Sequence, residues 1–195
     1  MTLQEFDPVF DCQKAFRALL DAMARPGSIQ SMREPARKLH HPHAALMVAG
    51  MTLLDNRCGF SAQNAPALAE DLQQLTFARP VPAAEADYLF AGRTTGAEDG
   101  TELLLQSAKA GTLPEPHRSA TLFIELGSLE EGEPLTLAGP GIDGQRDIRL
   151  SAEAVRWLRA RQQAAWEYPC GAEIYFVTTQ GDVLCIPRTT RVEGI

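Results

Sequence analysis

The sequence offers one set of residues whose types suit anion binding: Arg25 and Arg188-Thr189-Thr190. Guanidinium and hydroxyl groups donate hydrogen bonds to phosphate or carboxylate oxygens. The Arg188 loop follows a predicted strand, and open α/β sheets place ligands beyond the carboxyl ends of their strands. We therefore predict an anion site at this loop, with Arg25 as an additional contact. The structural alternative, which most surface arginines follow, is that Pro187 ends the strand and Arg188 pairs with an acidic neighbour.

The histidines cluster in one string, His40-His41-Pro42-His43. Imidazoles this close could bind a transition metal, but zinc sites usually draw ligands from more widely spaced positions and add cysteine or carboxylate. The nearest such residues, Asp55 and Cys58, lie beyond an apolar helix. The string is therefore predicted to be a surface turn that leads into that helix, and no metal site is predicted.

A glycine motif spanning Gly139–Gly144 matches the pattern G-x-G-x-x-G. A dinucleotide site needs a strand before this motif and a helix after it, whose N-terminus faces the pyrophosphate. A strand is predicted before the motif, but residues 145–150 have the composition of a strand and carry no helical stripe. The motif is therefore predicted to be a glycine-rich hairpin connection, and no bound cofactor is expected.

Other catalytic motifs are missing from the sequence. It has no G-x-S-x-G nucleophile elbow, no P-loop and no C-x-x-C pair. A triad assembled in space from distant residues is recognised by its geometry, so the sequence leaves that possibility open. No catalytic residue is assigned.

The elements that must position these residues alternate between helix and strand in the first half of the chain. Apolar spacing predicts a helix from about Asp11, with Phe16, Leu19, Leu20 and Met23 facing inward and Pro26-Gly27 ending it. Further helices are predicted at 44–54, from Pro66 through Leu75, at 103–108 and at 151–165, where Ser151 is the N-cap. Strands are predicted at 58–61, 86–91 and 121–126, followed by two hairpins, 135–137 with 148–150 and 174–178 with 183–186.

These elements predict an α/β protein with a mixed sheet flanked by helices. The length of 195 residues favours a single domain spanning 1–195. The net charge of −7 argues against a nucleic-acid or anionic-membrane partner. The N-terminus has no secretory signal pattern, no apolar run approaches membrane-spanning length, and the four cysteines are widely spaced. We therefore expect a cytoplasmic protein with reduced thiols.

Seven short strings, spread from Phe16 to Thr190, resemble one family when taken in order. They are Phe16-Arg17-x-Leu19-Leu20-x-Ala22-Met23-x-Arg25-Pro26-Gly27, Leu53-Leu54-Asp55, Gly111-Thr112-x-Pro114-Glu115, Ala120-Thr121-Leu122, Leu137-x-Gly139-x-Gly141-Ile142, Tyr168-Pro169-x-Gly171 and Ile186-Pro187-Arg188-Thr189-Thr190. In this order and at this chain length they resemble the PhnH subunit family of the bacterial carbon–phosphorus lyase system. The first and last strings are the most specific.

The resemblance implies a role in phosphonate use, in a complex that converts a phosphonate and ATP into ribose 1-phosphonate 5-triphosphate and adenine. ATP would be a substrate of the complex. The resemblance also implies a homodimer that joins the PhnG, PhnI and PhnJ subunits. The implied fold is similar to the large domain of transferases that use pyridoxal phosphate (PLP), without their PLP site. None of Lys14, Lys38 and Lys109 has a clear context for a Schiff base to that cofactor.

Two functions remain open from the sequence. The first is an assembly subunit that positions or stabilises a catalytic partner, which is not an enzyme on its own. An Arg-rich, Lys-poor surface and exposed apolar patches would suit that role. The second is a nucleotide- or phosphonate-binding subunit that uses Arg188, Thr189, Thr190 and Arg25.

Overall fold

The computed structural model describes residues 5–93, 100–129 and 132–195. The helices are α1 (Phe10–Ala24), α2 (Arg33–Arg37), α3 (Ala44–Leu53), α4 (Pro66–Thr76), α5 (Thr101–Ser107) and α6 (Ala152–Gln163). The strands are β1 (Gln30–Ser31), β2 (Gly59–Gln63), β3 (Arg79–Pro80), β4 (Tyr88–Ala91), β5 (Thr121–Leu126), β6 (Glu133–Ala138), β7 (Arg146–Leu150), β8 (Glu173–Thr178), β9 (Asp182–Ile186) and β10 (Arg191–Glu193). Single 3₁₀ turns occur at Ala83–Glu85 and Pro116–Arg118.

The larger sheet has seven strands in the order β1-β9-β8-β5-β4-β2-β3. From β8 to β3 all neighbouring strands are parallel, whereas β9 runs antiparallel to both β8 and β1. The mixed sheet predicted from the sequence is confirmed. The strands β5 and β8 are apolar along most of their length because helices cover both of their faces.

A second sheet has three strands in the order β10-β6-β7. The strands β6 and β7 form the predicted antiparallel hairpin, with Leu135 opposite Ile148. The strand β10 pairs with the other edge of β6. Neither β10 nor a separate sheet was predicted, because a three-residue strand carries too little alternation to be recognised from sequence.

Two apolar cores lie on opposite faces of the larger sheet. Successive side chains of a strand point to opposite faces, so Phe123 of β5 joins the core formed with α1, α3 and α4, while its neighbours Leu122 and Ile124 join the core formed with α5, α6 and the small sheet. In the first core, Phe123 stacks between Phe90 and Tyr175, with ring centroids 5.4 and 4.7 Å away. Stacked aromatic rings from three adjacent strands thus form this face of the sheet, against which the helices pack.

Most of the predicted helix boundaries are confirmed. The helix α3 is buried on nearly all sides, as its uniformly apolar sequence indicated. Pro66 is the first residue of α4, a position where proline loses no helical hydrogen bond. The Oγ of Ser151 accepts a hydrogen bond from the backbone N–H of Ala154 at 3.3 Å and so caps α6. Residues 94–99, between β4 and α5, lie outside the described part of the chain.

The buried face of α1 differs from the one predicted. Leu19 is buried, but Phe16 and Leu20 are exposed. The residues that pack inward share one face of the helix and are mostly alanines: Asp11, Ala15, Ala18, Leu19 and Ala22. Small side chains let α1 approach α3 and β9 closely. The larger apolar residues Phe16 and Leu20 therefore lie on the outer surface of the helix.

Two further expectations concern cysteines and membranes. All four cysteines are unpaired in the structure, and Cys185 is the one that is fully buried. Burial raises the pKa of the Cys185 thiol well above its usual value, so this residue behaves as an apolar core residue. Within the described residues, the structure contains no helix whose length and hydropathy would let it cross a bilayer.

Candidate functional site

The loop Arg188-Thr189-Thr190 lies at the edge of the sheet where the parallel strands begin. It follows β9, which runs antiparallel to β8, with Ile186 opposite Ile174. The rule that places ligands at carboxyl ends applies to the parallel strands of an open sheet. The sequence argument that favoured this loop therefore does not apply, because the reversal of β9 puts its end at the opposite edge.

The side chain of Arg188 is occupied by contacts within the chain. Its guanidinium forms an ion pair with the carboxylate of Glu173 and donates through Nε to the carbonyl of Pro169 at 3.2 Å. The backbone N–H of Arg188 donates to the other oxygen of Glu173 at 2.6 Å. Glu173 is buried, so Arg188 neutralises it. This arrangement is the structural alternative given above, while an anion-binding role for the loop stays a prediction.

Arg161 of α6 binds the backbone of the rest of the loop. Its guanidinium donates to the carbonyl oxygens of Ile186, Pro187 and Thr190 at 3.3, 3.1 and 3.0 Å. Burial lowers the pKa of Arg161 to about 10, so it stays protonated at neutral pH. Thr190 is buried, and its Oγ1 has no hydrogen-bond partner among the described residues. Thr189 remains partly exposed.

Arg25 lies on the surface and pairs with Asp21, one turn earlier in α1, at 3.0 Å. Both side chains are more than half exposed, so this pair contributes little stability. In the described part of the chain, no hydrogen bond or ion pair joins Arg25 to Arg188, Thr189 or Thr190. The structure thus does not bring the four predicted residues together as one site.

The glycine motif forms the connection between β6 and β7, as predicted. Its glycines adopt positive φ, and two of them touch other segments closely. A Cβ on Gly139 would lie 3.0 Å from the carbonyl oxygen of Thr189, and one on Gly141 would lie 2.5 Å from that of Ala24. The motif therefore serves close packing between the small sheet, α1 and the last loop.

The opposite edge of the larger sheet contains a topological switch point. The chain leaves β2 through α4 toward β3, whereas it leaves β4 through α5 toward β5 on the other side. The carboxyl ends of β2 and β4 therefore flank a crevice from which the two connections diverge. Open α/β sheets bind ligands at such a point.

Beside this crevice, His43 and Glu125 form a close pair. The Nδ1 of His43 lies 2.6 Å from Oε2 of Glu125, and the backbone N–H of Arg93 donates to the same oxygen at 3.2 Å. The Glu125 side chain is 2% exposed and that of His43 is 17% exposed. Glu125 is the second-last residue of β5 and faces α3, whose N-cap is His43. A carboxylate only accepts hydrogen bonds, so Nδ1 of His43 carries the proton and Nε2 is left for another partner.

His41 lies behind this pair. Its Nδ1 accepts a hydrogen bond from the backbone N–H of His43 at 3.0 Å, and the two rings are 5.9 Å apart. Burial lowers the pKa of His41, which keeps the ring neutral with its proton on Nε2. That nitrogen lies 3.8 Å from Oδ2 of Asp71, beyond hydrogen-bond distance, and has no hydrogen-bond partner among the described residues.

The histidine string is thus only partly the surface turn that the sequence predicted. It does lead into α3, and His40 is exposed, but His41 and His43 turn inward. Sequence reasoning missed their connection to Glu125, although a charged residue inside the apolar run of β5 was a visible signal. We call His41, His43, Arg93 and Glu125 the switch-point cluster. Among the residues that the structure describes, no group of three His, Cys, Asp or Glu side chains is arranged to hold a metal ion.

Comparison with known proteins identifies the family. A family model described as "Bacterial phosphonate metabolism protein (PhnH)" matches residues 4–193. The chain belongs to the PhnH family. The match includes both edges of the sheet, so the Arg188 loop and the switch-point cluster both lie within the PhnH region.

Two curated relatives extend along nearly the whole PhnH chain. The "Alpha-D-ribose 1-methylphosphonate 5-triphosphate synthase subunit PhnH" of Rhizobium meliloti (strain 1021) is 32% identical over 196 aligned residues, covering 96% of this chain and 92% of the relative. The "Putative C-P lyase subunit protein HtxG" of Stutzerimonas stutzeri is 27% identical over 180 residues, covering 92% of this chain and 85% of the relative.

Proposed function

We propose that the chain is a subunit of a carbon–phosphorus lyase complex and supports the synthesis of ribose 1-phosphonate 5-triphosphate from a phosphonate and ATP. The observation that carries this proposal is the family match over residues 4–193, together with two relatives that are themselves named as subunits. In that reaction a phosphonate oxygen forms a bond to C1′ of the ribose, the C1′–N9 bond breaks, and adenine leaves with a proton.

We assign the chain an assembly role, in which it positions or stabilises a catalytic partner. The proposed partners are a second copy of the chain and subunits of the PhnG, PhnI and PhnJ types, in the cytoplasm. We also propose that the fold is related to the large domain of PLP-dependent transferases and that it functions without PLP. All three lysines form ion pairs, with Glu34, Asp11 and Asp87, which agrees with a chain that does not use a Schiff-base lysine.

The surface of α1 supports the assembly role. Val9, Phe16 and Leu20 are spaced by seven and four residues, so they share one face of the helix. Their exposed fractions are 72%, 48% and 54%, and Phe10 beside them is 65% exposed. We call these four residues the α1 stripe. Exposed apolar residues gathered on one surface are typical of interaction sites.

The alternative function, a ligand site at Arg188, Thr189, Thr190 and Arg25, has weaker support. The Arg188 guanidinium is engaged by Glu173, and Arg25 pairs with Asp21. An anion at Arg188 would compete with Glu173, a buried carboxylate that depends on this counter-charge. We therefore do not base the function on this loop.

The test is co-expression of the tagged chain with PhnG-, PhnI- and PhnJ-type subunits from the same phosphonate system, followed by affinity purification and mass measurement. We expect a stoichiometric complex. The double variant Phe16→Glu/Leu20→Glu should lower partner recovery at least about tenfold, since it places two charges in an apolar contact. Leu113→Glu is the matched control, because Leu113 is 53% exposed but lies outside α1. Purification of the wild-type chain alone, with its partners present and soluble, would refute the assembly role.

A further inference from the structure

Two helices begin at the same point beside the switch-point crevice. His43 is the N-cap of α3 and Ala65 is the N-cap of α4. A Cβ on Gly92, just after β4, would lie 3.0 Å from both His43 Cε1 and Ala65 Cβ. Within the described residues, neither N-cap side chain forms a capping hydrogen bond. The positive ends of two helix dipoles therefore converge at the end of β4, a setting that favours an anion.

Side chains of the switch-point cluster add donors around the same position. The proton on Nδ1 of His43 is committed to Glu125, so Nε2 is the nitrogen available to a ligand, on a ring that remains partly exposed. Nε2 donates to an anion when it carries a second proton, as in an imidazolium. The guanidinium of Arg93 lies over Gly127, where a Cβ would be 3.1 Å from Nη2.

Glu125 gives the second, independent observation. Its side chain is almost completely buried, and Oε1 has no hydrogen-bond partner among the described residues. A buried carboxylate oxygen without a donor is costly. A fully ionised anion could not satisfy this oxygen, because it has no proton to donate. The ligand must therefore carry acceptor oxygens and one hydroxyl donor together.

A monoprotonated phosphate or phosphonate group has this combination. We propose that the switch-point cluster binds such a group with the His43 ring as an imidazolium. Its Nε2–H and the guanidinium of Arg93 donate to the oxyanion, and Oε1 of Glu125 accepts from the P–OH. The choice of a phosphonate or phosphate as the ligand rests on the proposed function. The site would add ligand binding to the assembly role. Glu125 also acts as a positioning residue, because it fixes the ring of His43.

The first experiment measures binding of methylphosphonate, inorganic phosphate and ATP to the full chain by calorimetry. We expect His43→Gln to weaken binding about tenfold or more, the loss that follows removal of a charge-assisted hydrogen bond. His40→Gln is the matched control, because His40 lies in the same turn but is exposed. Comparison of the three probes distinguishes a phosphonate from free phosphate or a nucleotide as the source of the group. Equal affinity of the two variants, or no binding of any probe to the wild-type chain, would overturn the proposal.

The second experiment separates ligand recognition by Glu125 from a purely structural role. Sulfate has the size of phosphate but carries no proton at neutral pH. We expect the wild-type chain to prefer methylphosphonate to sulfate about tenfold or more, and Glu125→Gln to remove that preference, because an amide can donate where a carboxylate must accept. A preference retained in Glu125→Gln, or wild-type binding that does not distinguish the two ions, would refute the contact. Thermal melting of each variant confirms that it is folded.

Failure of this site and failure of the assembly role give different results. His43→Gln should still purify with the partner subunits, since it is remote from the α1 stripe in sequence and belongs to the carboxyl edge of the sheet. Loss of wild-type assembly would refute the proposed function while the calorimetric comparison remained interpretable. Loss of assembly in His43→Gln alone would contradict the ligand assignment.

Discussion

In the described part of the chain, three carboxylates are buried, and each is matched by a basic group from another element. Asp11 pairs with Lys38 at 2.7 Å, Glu125 pairs with His43 at 2.6 Å, and Glu173 pairs with Arg188. Burial of a charge costs several kcal/mol unless a partner compensates it. These pairs therefore fix how distant segments meet. Of the three carboxylates, Glu125 is the one with an oxygen that has no hydrogen-bond partner among the described residues.

The Arg188–Glu173 pair leads to a prediction about stability. Arg188→Ala should lower the free energy of unfolding by about 3–5 kcal/mol, because Glu173 would be left buried without its counter-charge. Urea denaturation measures this change. Adding Glu173→Gln to Arg188→Ala should recover part of the loss, since the amide removes the unpaired charge. If Arg188→Ala were as stable as the wild type but bound ATP more weakly, the loop would be a ligand site after all.

At the scale of elements, the turn Pro26-Gly27 lies where α1 meets the small sheet. A Cβ on Gly27, just after α1, would lie 2.7 Å from the side chain of Leu137 in β6. The backbone N–H of Gly27 donates to the carbonyl of Cys185 at 3.3 Å, and Arg146 of β7 donates to the carbonyl of Pro26 at 2.9 Å. The turn at Pro26-Gly27 therefore ends α1 and also joins the two sheets.

A pair of glycine variants tests this close packing. Gly141 and Gly144 both have positive φ, but a Cβ on Gly141 would meet the carbonyl of Ala24 at 2.5 Å, whereas nothing lies within 4 Å of one on Gly144. Gly144→Ala should cost about 1–2 kcal/mol from backbone strain alone. Gly141→Ala should cost about 1–3 kcal/mol more, because backbone must also move. Chemical denaturation of both variants would contradict this account if their losses were equal.

The two faces of α1 show how an element can be predicted correctly and still be oriented wrongly. Its spacing marks Leu19 as inward-facing, and the structure agrees, but Phe16 and Leu20 face outward. The alanines on the inner face are weak signals in any hydrophobicity pattern. These small side chains let the helix approach α3 and β9 closely. Which face does so depends on the neighbours of the helix and not on its own sequence.

At the scale of the whole molecule, ion pairs link segments that are distant along the chain, and this should make stability depend on pH. Burial alone would raise the pKa of Asp11, but hydrogen bonds from Lys38 and the backbone N–H of Asp7 hold it below the usual value. Burial alone would also raise the pKa of Asp87. Hydrogen bonds from Lys109 and from the backbone N–H of Gly59 outweigh this effect, so the pKa of Asp87 is lowered as well. Both carboxyls bind protons more weakly in the folded state than in the unfolded one.

The expected result is a loss of stability in acid. A lowered folded-state pKa gives stability that is present above the unfolded value of about 3.9 and is lost as the pH falls through the folded value. Urea midpoints should therefore change little from pH 7 to about pH 5 and then fall steeply below about pH 4. Asp11→Asn should be less stable at pH 7 and should show a shallower acid decline. An unchanged acid decline in Asp11→Asn would contradict this assignment.

The sequence by itself determined the local elements and the family. Apolar periods of a few residues predicted the main helices and strands, the mixed sheet, and the hairpin connection at Gly139–Gly144. The ordered strings from Phe16 to Thr190 indicated the PhnH family, which the comparisons confirm. Such signals suffice because helix, strand and turn preferences act over short stretches of chain, where backbone geometry and side-chain spacing decide the outcome.

Only the tertiary structure decided which residues share a site. The reversal of β9 moved Arg188 to the edge opposite the switch point, and the order of parallel strands brought Glu125 to His43 across 82 positions of sequence. No local pattern contains this information, because strand order and direction follow from how whole layers bury their apolar faces. The strand-end argument for the Arg188 loop therefore does not apply to β9, and the anion site there stays a prediction. The packed sheet instead brought a buried carboxylate, Glu125, beside His43 and its neighbour His41.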